Sequence, residues 1–256
     1  MRGRKYRAAI AIVAFASAAL ADGLTADRAE YTVTSDVVGY RAIQIETGVV
    51  MEANEGWRLW HGPCPLLRIG LSDTFEVRVG EDGLLVNSSP YGIGAHGLSD
   101  FSVGFKWKIA NERRFLPAIA FNPSVSAPVG SRQFSSTGYD PTLRLALAKR
   151  LVKGFRASGN FNASWLTDGR RFAQRAASLC IEHDLPARMV AYSEIYALSS
   201  LHPDDGVSTM LNSGVFRSLG KRMQVDAEIG RRLSSRGPTW FAGLGFVVAV
   251  SRPHEH

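Results

Sequence analysis

The sequence predicts an all-β fold, an antiparallel up-and-down transmembrane β-barrel of about 12 strands. Three observations carry this. Apolar and polar residues alternate over stretch after stretch, as on a strand whose successive side chains point to opposite faces. The alternating stretches are repeatedly about 9–11 residues long, the length that crosses a bilayer at a tilt. Tight turns near residues 72, 112, 153, 186 and 219 alternate with longer loops, the pattern of short periplasmic and long outer connections.

The N-terminus reads as a leader. Arg2, Arg4, Lys5 and Arg7 precede an apolar run over residues 8–18, and Ala19-Leu20-Ala21 is an A-x-A cleavage site. A signal peptide over residues 1–21 is therefore expected, with export to the outer membrane of a Gram-negative cell. The whole chain carries 30 basic and 23 acidic residues; removing the leader leaves 26 against 23, or +3. That balance, with no basic cluster interleaved with aromatics, excludes a nucleic-acid binder. Beyond the leader no stretch reaches the roughly 20 apolar residues of a membrane helix. Membrane lipid is the expected surrounding, and the oligomeric state is open.

Residues 22–39 are polar and weakly patterned. They read as a flexible N-terminal arm, the alternative being a plug inserted in the lumen. The barrel is expected over residues 40–251, with a polar tail at 252–256. In the first strand Ile43, Ile45, Val49 and Met51 oppose Gln44, Glu46, Gly48 and Glu52. A loop over 54–65 carries Trp57, Trp60 and His61, which suit interfacial anchoring or an aromatic entry site. Leu67, Ile69 and Leu71 then alternate, a turn follows at 71–74, and Phe75, Val77 and Val79 alternate in turn. Residues 81–97 read as a long Gly- and Ser-rich loop. Phe101, Val103, Phe105, Trp107 and Ile109 form the outward face of the next strand, paired through the turn at 111–113 with a strand containing Pro117 and Pro123. Those prolines predict a bulge, because each removes a ladder hydrogen bond.

After a polar loop at 130–140, Leu143, Leu145 and Leu147 alternate. Phe155, Ala157, Gly159, Phe161, Ala163 and Trp165 make the cleanest strand. Residues 166–174 read as a loop. In the strand over 188–199, Tyr192 and Tyr196 share a parity with Glu194, which means a bulge or lumenal aromatics. Met223, Val225, Ala227 and Ile229 follow, and a last strand carries Trp240, Ala242, Leu244, Phe246, Val248 and Val250 on one side. Gly245, Val248 and Val250 fit a barrel-assembly signal that lacks its terminal aromatic.

A soluble barrel alternates too, with its apolar face inward. Trp107, Trp165 and Trp240 near strand ends, where aromatic girdles lie, favour the inverted arrangement. The polar face then lines the lumen, with Glu46, Arg68, Glu76, Arg78, Lys106, Lys108, Arg144, Arg150, Arg156, Glu182, Glu194, Asp226 and Glu228. Such residues can tune passage through a pore or pair as a structural ladder. Cys64 and Cys180 lie on separated strands and read as one disulfide or two free thiols. No cofactor loop, metal cluster or redox motif is visible. A hydrolase would need a Ser–His pair, for which His96 with Ser99 and His183 with Ser178 are the candidates. No catalytic residue is assigned.

Several segments together resemble a known family. They are Arg68-Ile69-Gly70-Leu71-Ser72-Asp73 with Phe75-Glu76-Val77-Arg78, then Gly97-Leu98-Ser99-Asp100 with Gly104, Phe105 and Lys106. Pro123 with Ala127-Pro128-Val129-Gly130, Glu194, and Gln224-Val225-Asp226-Ala227 complete the set. In order and spacing this is similar to the outer-membrane β-barrel family of transporters of the meta-pathway of phenol degradation. The resemblance implies a channel or transporter, with passive uptake of small molecules, aromatic or hydrophobic ones among them. It singles out Arg68, Glu76, Lys106, Glu194 and Asp226. An outer-membrane phospholipase-type hydrolase and a closed structural barrel are the alternatives.

Overall fold

The structure is a computed structural model that describes residues 24–28 and 31–251. The expected signal peptide and polar tail lie outside the described residues, as do Asp22, Gly23, Ala29 and Glu30 of the expected arm.

Twelve staves close the barrel. The first is β1 (Ile43–Asn54). The second joins β2 (Trp57–His61) to β3 (Leu66–Ser72), the third β4 (Phe75–Glu81) to β5 (Leu84–Ser89), and the fourth β6 (Gly92–Leu98) to β7 (Phe101–Ala110). The fifth joins β8 (Ala118–Phe121) to β9 (Ser124–Ala127). Then come β10 (Asp140–Arg150), β11 (Phe155–Asp168), β12 (Arg170–Leu185), β13 (Met189–Leu198), β14 (Ser208–Ser218), β15 (Met223–Arg232) and β16 (Trp240–Ser251). All pairings are antiparallel. Closure is made by β16 on β1, with Glu46 opposite Val247 and Gly48 opposite Gly245.

The wall is apolar outward and polar inward, as the alternation predicts. Val49, Trp107, Phe161 and Leu244 are exposed, whereas Arg68, Glu76 and Lys106 have no solvent-accessible surface at all. The outward side chains have no protein core to enter, and lipid is the medium that removes them from water. No helix among the described residues is long and apolar enough to cross a membrane.

Four expectations change. Residues 54–65 and 81–97 are not loops: they contain β2, β5 and β6, which pair with one another and with the upper half of β1 as an extension of the sheet. The Gly- and Ser-rich composition of 81–97 fits strands in a sheet extension beyond the lipid-facing wall, where no apolar face is required. The loop expected at 166–174 reduces to Gly169 alone, whose φ of 65° reverses the chain between β11 and β12. Pro123 interrupts the fifth stave without shifting its register: Trp107 faces Phe121 below it and Gly104 faces Ser124 above it. The irregularity appears instead between Lys108 and Ala110, close to Pro117.

Finally, the described residues of the expected flexible arm lie inside the barrel, as in the plug alternative. Thr32, Val33, Thr34, Ser35, Val37 and Val38 are all buried. The wall makes room for them. At Gly70 a methyl group would sit 1.9 Å from the Gly39 carbonyl oxygen. Cys64 and Cys180 are both free.

The inverted wall has a direct test. Phe161→Arg, outward at mid-height, is expected to destabilise insertion by about 2–4 kcal/mol. Tyr91→Arg, fully exposed at the β5–β6 turn, is expected to leave it unchanged. Urea titration of the protein folded into liposomes measures both.

Candidate functional site

The lumenal charges gather around a carboxylate from the buried N-terminal segment. Asp27 Oδ2 lies 2.6 Å from Lys106 Nζ, bonds the Arg78 guanidinium, and stands 3.8 Å from an Arg68 nitrogen. Arg68 also pairs with Glu46 and Glu76, each at 2.8 Å, and Glu76 reaches Arg78 at 2.8 Å. The strands dictate this crowding. Arg68 on β3 faces Arg78 on β4, and Glu76 faces Lys106 on β7, so like and unlike charges meet on one face.

The plug is held by its backbone as well. Glu194 accepts the Tyr31 and Thr32 N–H groups at 2.7 and 3.0 Å and the Thr32 hydroxyl at 2.8 Å. Glu46 accepts the Asp27 N–H at 3.0 Å, and Glu76 accepts the Val38 N–H at 2.6 Å. Asn160 accepts from the Val33 N–H at 2.8 Å and donates to the Val33 carbonyl at 3.0 Å, so its amide replaces a strand partner. Arg68 donates to the Thr25 and Asp36 carbonyls. Tyr31 stacks on Tyr196 with ring centroids 4.3 Å apart.

Every lumenal candidate from the sequence faces inward, but they do not form one group. Glu46, Arg68, Glu76, Arg78 and Lys106 surround Asp27. Lys108 and Arg156 grip Asp36, each at 2.9 Å. Glu194 holds Tyr31 and Thr32. Arg144 donates to Asn162 at 3.1 Å, beside the Tyr31 hydroxyl that Asn162 also bonds. Asp226 lies 3.7 Å from Arg28, and Glu228 accepts from Asn212 at 3.0 Å. Glu182 is buried opposite Arg156, and Arg150 is exposed at the short-turn end. Tyr192 and Tyr196 keep an unbroken register against both neighbours, so they are lumenal aromatics rather than a bulge.

The sequence reading missed Asp27, Asp36, Tyr31, Asn160 and Asn212. One signal was present: cations on β3, β4 and β7 outnumber the carboxylates beside them, and a buried excess of one sign demands a partner. The Ser–His pairs do not assemble. His183 is on the outer face, stacked on Phe155, while Ser178 bonds Thr32 in the lumen. Ser99 accepts the Asp82 N–H, and no hydrogen bond joins it to His96 among the described residues. Among those residues no cluster of side chains suits a metal ion.

These features define an outer-membrane-type β-barrel whose charged lumen is filled by its own N-terminal segment. Residues 26–250 match the family described as "Putative MetA-pathway of phenol degradation", and the chain belongs to that family. No curated protein matches the sequence. The fold is similar to the COG4313 outer membrane channel from Pseudomonas putida F1, at 12% identity and a TM-score of 0.68, covering 84% of this chain and 97% of that one. It is also similar to the KdgM porin in complex with disordered oligogalacturonate (11% identity, TM-score 0.53, 81% and 99% covered). The NanC porin shares the fold as well (9%, 0.52, 82% and 100%).

Removing one partner of a buried ion pair leaves its neighbours uncompensated, at a cost of about 3–5 kcal/mol. Asp27→Asn is therefore expected to unseat the plug while the barrel stays closed. Hydrogen exchange over residues 31–38 should rise in the variant, with β11–β14 unchanged.

Proposed function

We propose that the protein is a passive channel of the outer membrane for small molecules, with residues 24–28 and 31–42 as its constriction. The observation that carries this reading is a closed barrel with charged side chains lining its interior and a segment without regular secondary structure seated on them. A wall built only for rigidity can be filled by its own side chains. This wall is completed by a piece of chain that contacts β7 at Asp27, β13 at Tyr31 and Thr32, and β7 again at Asp36, and leaves beside the β3–β4 turn at Tyr40. Membership in the family and likeness in fold to outer-membrane channels and porins support it. Export through a cleaved leader over residues 1–21 belongs to the same reading. Both charge signs line the wall in close pairs, which suits small neutral or weakly charged solutes better than strong ion selection. Ring compounds bearing a polar group are within that class. The reading requires no catalytic step.

One observation favours a second reading, a closed structural barrel. Glu46, Arg68, Glu76 and Lys106 around Asp27 have no solvent-accessible surface, so this part of the contact between plug and wall is dry. Planar-bilayer conductance separates the two. The channel reading expects small or flickering currents from the intact protein. It expects larger, sustained ones when Asp27→Asn and Glu194→Gln are combined. Absence of current from both proteins would establish the structural barrel.

A further inference from the structure

The sheet extension formed by β2, β5 and β6 turns one face toward the axis of the barrel. Glu52 shares the lumenal parity of Glu46 on β1, and His61 reaches it at 3.5 Å from the same face. Trp57 and Leu59 on β2 therefore face inward with His61, as do Asn87 and Ser89, which pair opposite Leu59 and beyond it on β5. Over this face hangs Phe134, from the connection between β9 and β10. With Ser88 and Gly94 they border an open cleft of about 440 Å³ above the plug.

The cleft is held open by its own framework. Phe134 closes a turn through its N–H to the Ser131 carbonyl at 2.8 Å. Ser131 is bound to Leu98 in both directions, N–H to carbonyl at 2.8 Å and hydroxyl from N–H at 2.9 Å. Asp100 accepts the Gly130 and Ser136 N–H groups at 2.9 and 2.8 Å, so its carboxylate spans the loop from both sides. An aromatic wall fixed in advance loses little freedom when a ligand enters.

We propose that this cleft is a capture site for a neutral, flat, ring-bearing small molecule with a single hydrogen-bonding group. The volume falls in the range of small-molecule sites, which are mostly apolar with a few placed polar groups. Trp57 and Phe134 supply two aromatic rings to the lining, and stacked or edge-on contacts with them favour an aromatic ring over a saturated one of equal size. The Asn87 amide and the Ser89 hydroxyl can each donate to or accept from a hydroxyl or carbonyl. No charged side chain lines the cleft, so a carboxylate or ammonium entering it would lose hydration without gaining a partner. The proposal deepens the channel reading, since it places a solute-gathering site above the constriction. Binding itself requires no flux.

The test is equilibrium binding to the full-length mature protein in detergent, by isothermal titration or saturation-transfer NMR. The probes are phenol, cyclohexanol and benzoate. Saturable phenol binding is expected, with cyclohexanol and benzoate each weaker by about tenfold. Trp57→Ala and, independently, the loop variant Phe134→Ser should weaken phenol by a similar factor. Trp60→Ala, on the outward face of the same strand, should not. Equal binding of all three probes, or phenol binding indifferent to both Trp57→Ala and Phe134→Ser, overturns the proposal. Phenol binding retained in a protein that never conducts would refute the channel and leave the cleft standing.

Discussion

The Asp27 carboxylate is the contact on which the interior depends. Arg68 and Arg78 stand directly opposite each other on adjacent strands, and Lys106 projects into the same space from β7. Three cations so placed, out of contact with water, repel one another strongly. Glu46 and Glu76 offset part of that charge, and Asp27 supplies the remainder from outside the sheet. The wall is therefore incomplete without the plug. Conversely, Asp27 could not remain ionised in this place without the three cations. Each half offsets the buried charge of the other, which ties the N-terminal segment to the barrel more tightly than its weak apolar content could.

The same dependence extends to the backbone. A segment with no helix or strand of its own leaves its N–H and C=O groups unpaired, and burial makes each of them costly. Here the wall provides the partners: Glu194, Glu46 and Glu76 accept, Arg68 donates, and Asn160 does both. The path of the plug is thus set by side chains on at least five strands rather than by its own propensities. Residues that read as a selectivity lining in the sequence serve first as the hydrogen-bonding surface for a piece of chain. Any solute that passes must compete with, or displace, that piece.

Much of the wall was legible from the residues. Phe161 with Trp165 on one parity and Asn160 with Asn162 on the other gave β11 its orientation without any tertiary information. The inward set from Glu46 to Glu228 followed from the same alternation. The extension β2–β5–β6 was not legible, because period-two patterning reports a strand only where its two faces meet different solvents. Trp57 and Leu59 face the vestibule while Arg58 and Trp60 face outward, and both sides meet water. Gly92, Gly94 and Gly97 then read as loop.

The chain by itself determined the alternation, the number of staves and the sign of each face, since these depend only on residue order and the geometry of an extended backbone. Where residues 24–28 and 31–42 go was decided by the closed barrel alone. Thr32 and Glu194 are 162 positions apart, and Asp27 and Lys106 are 79 apart. No local pattern encodes such pairs. They exist because closing the sheet of β16 on β1 encloses a space lined with charge, into which Asp27, Arg28 and Asp36 of the plug bring the opposite partners.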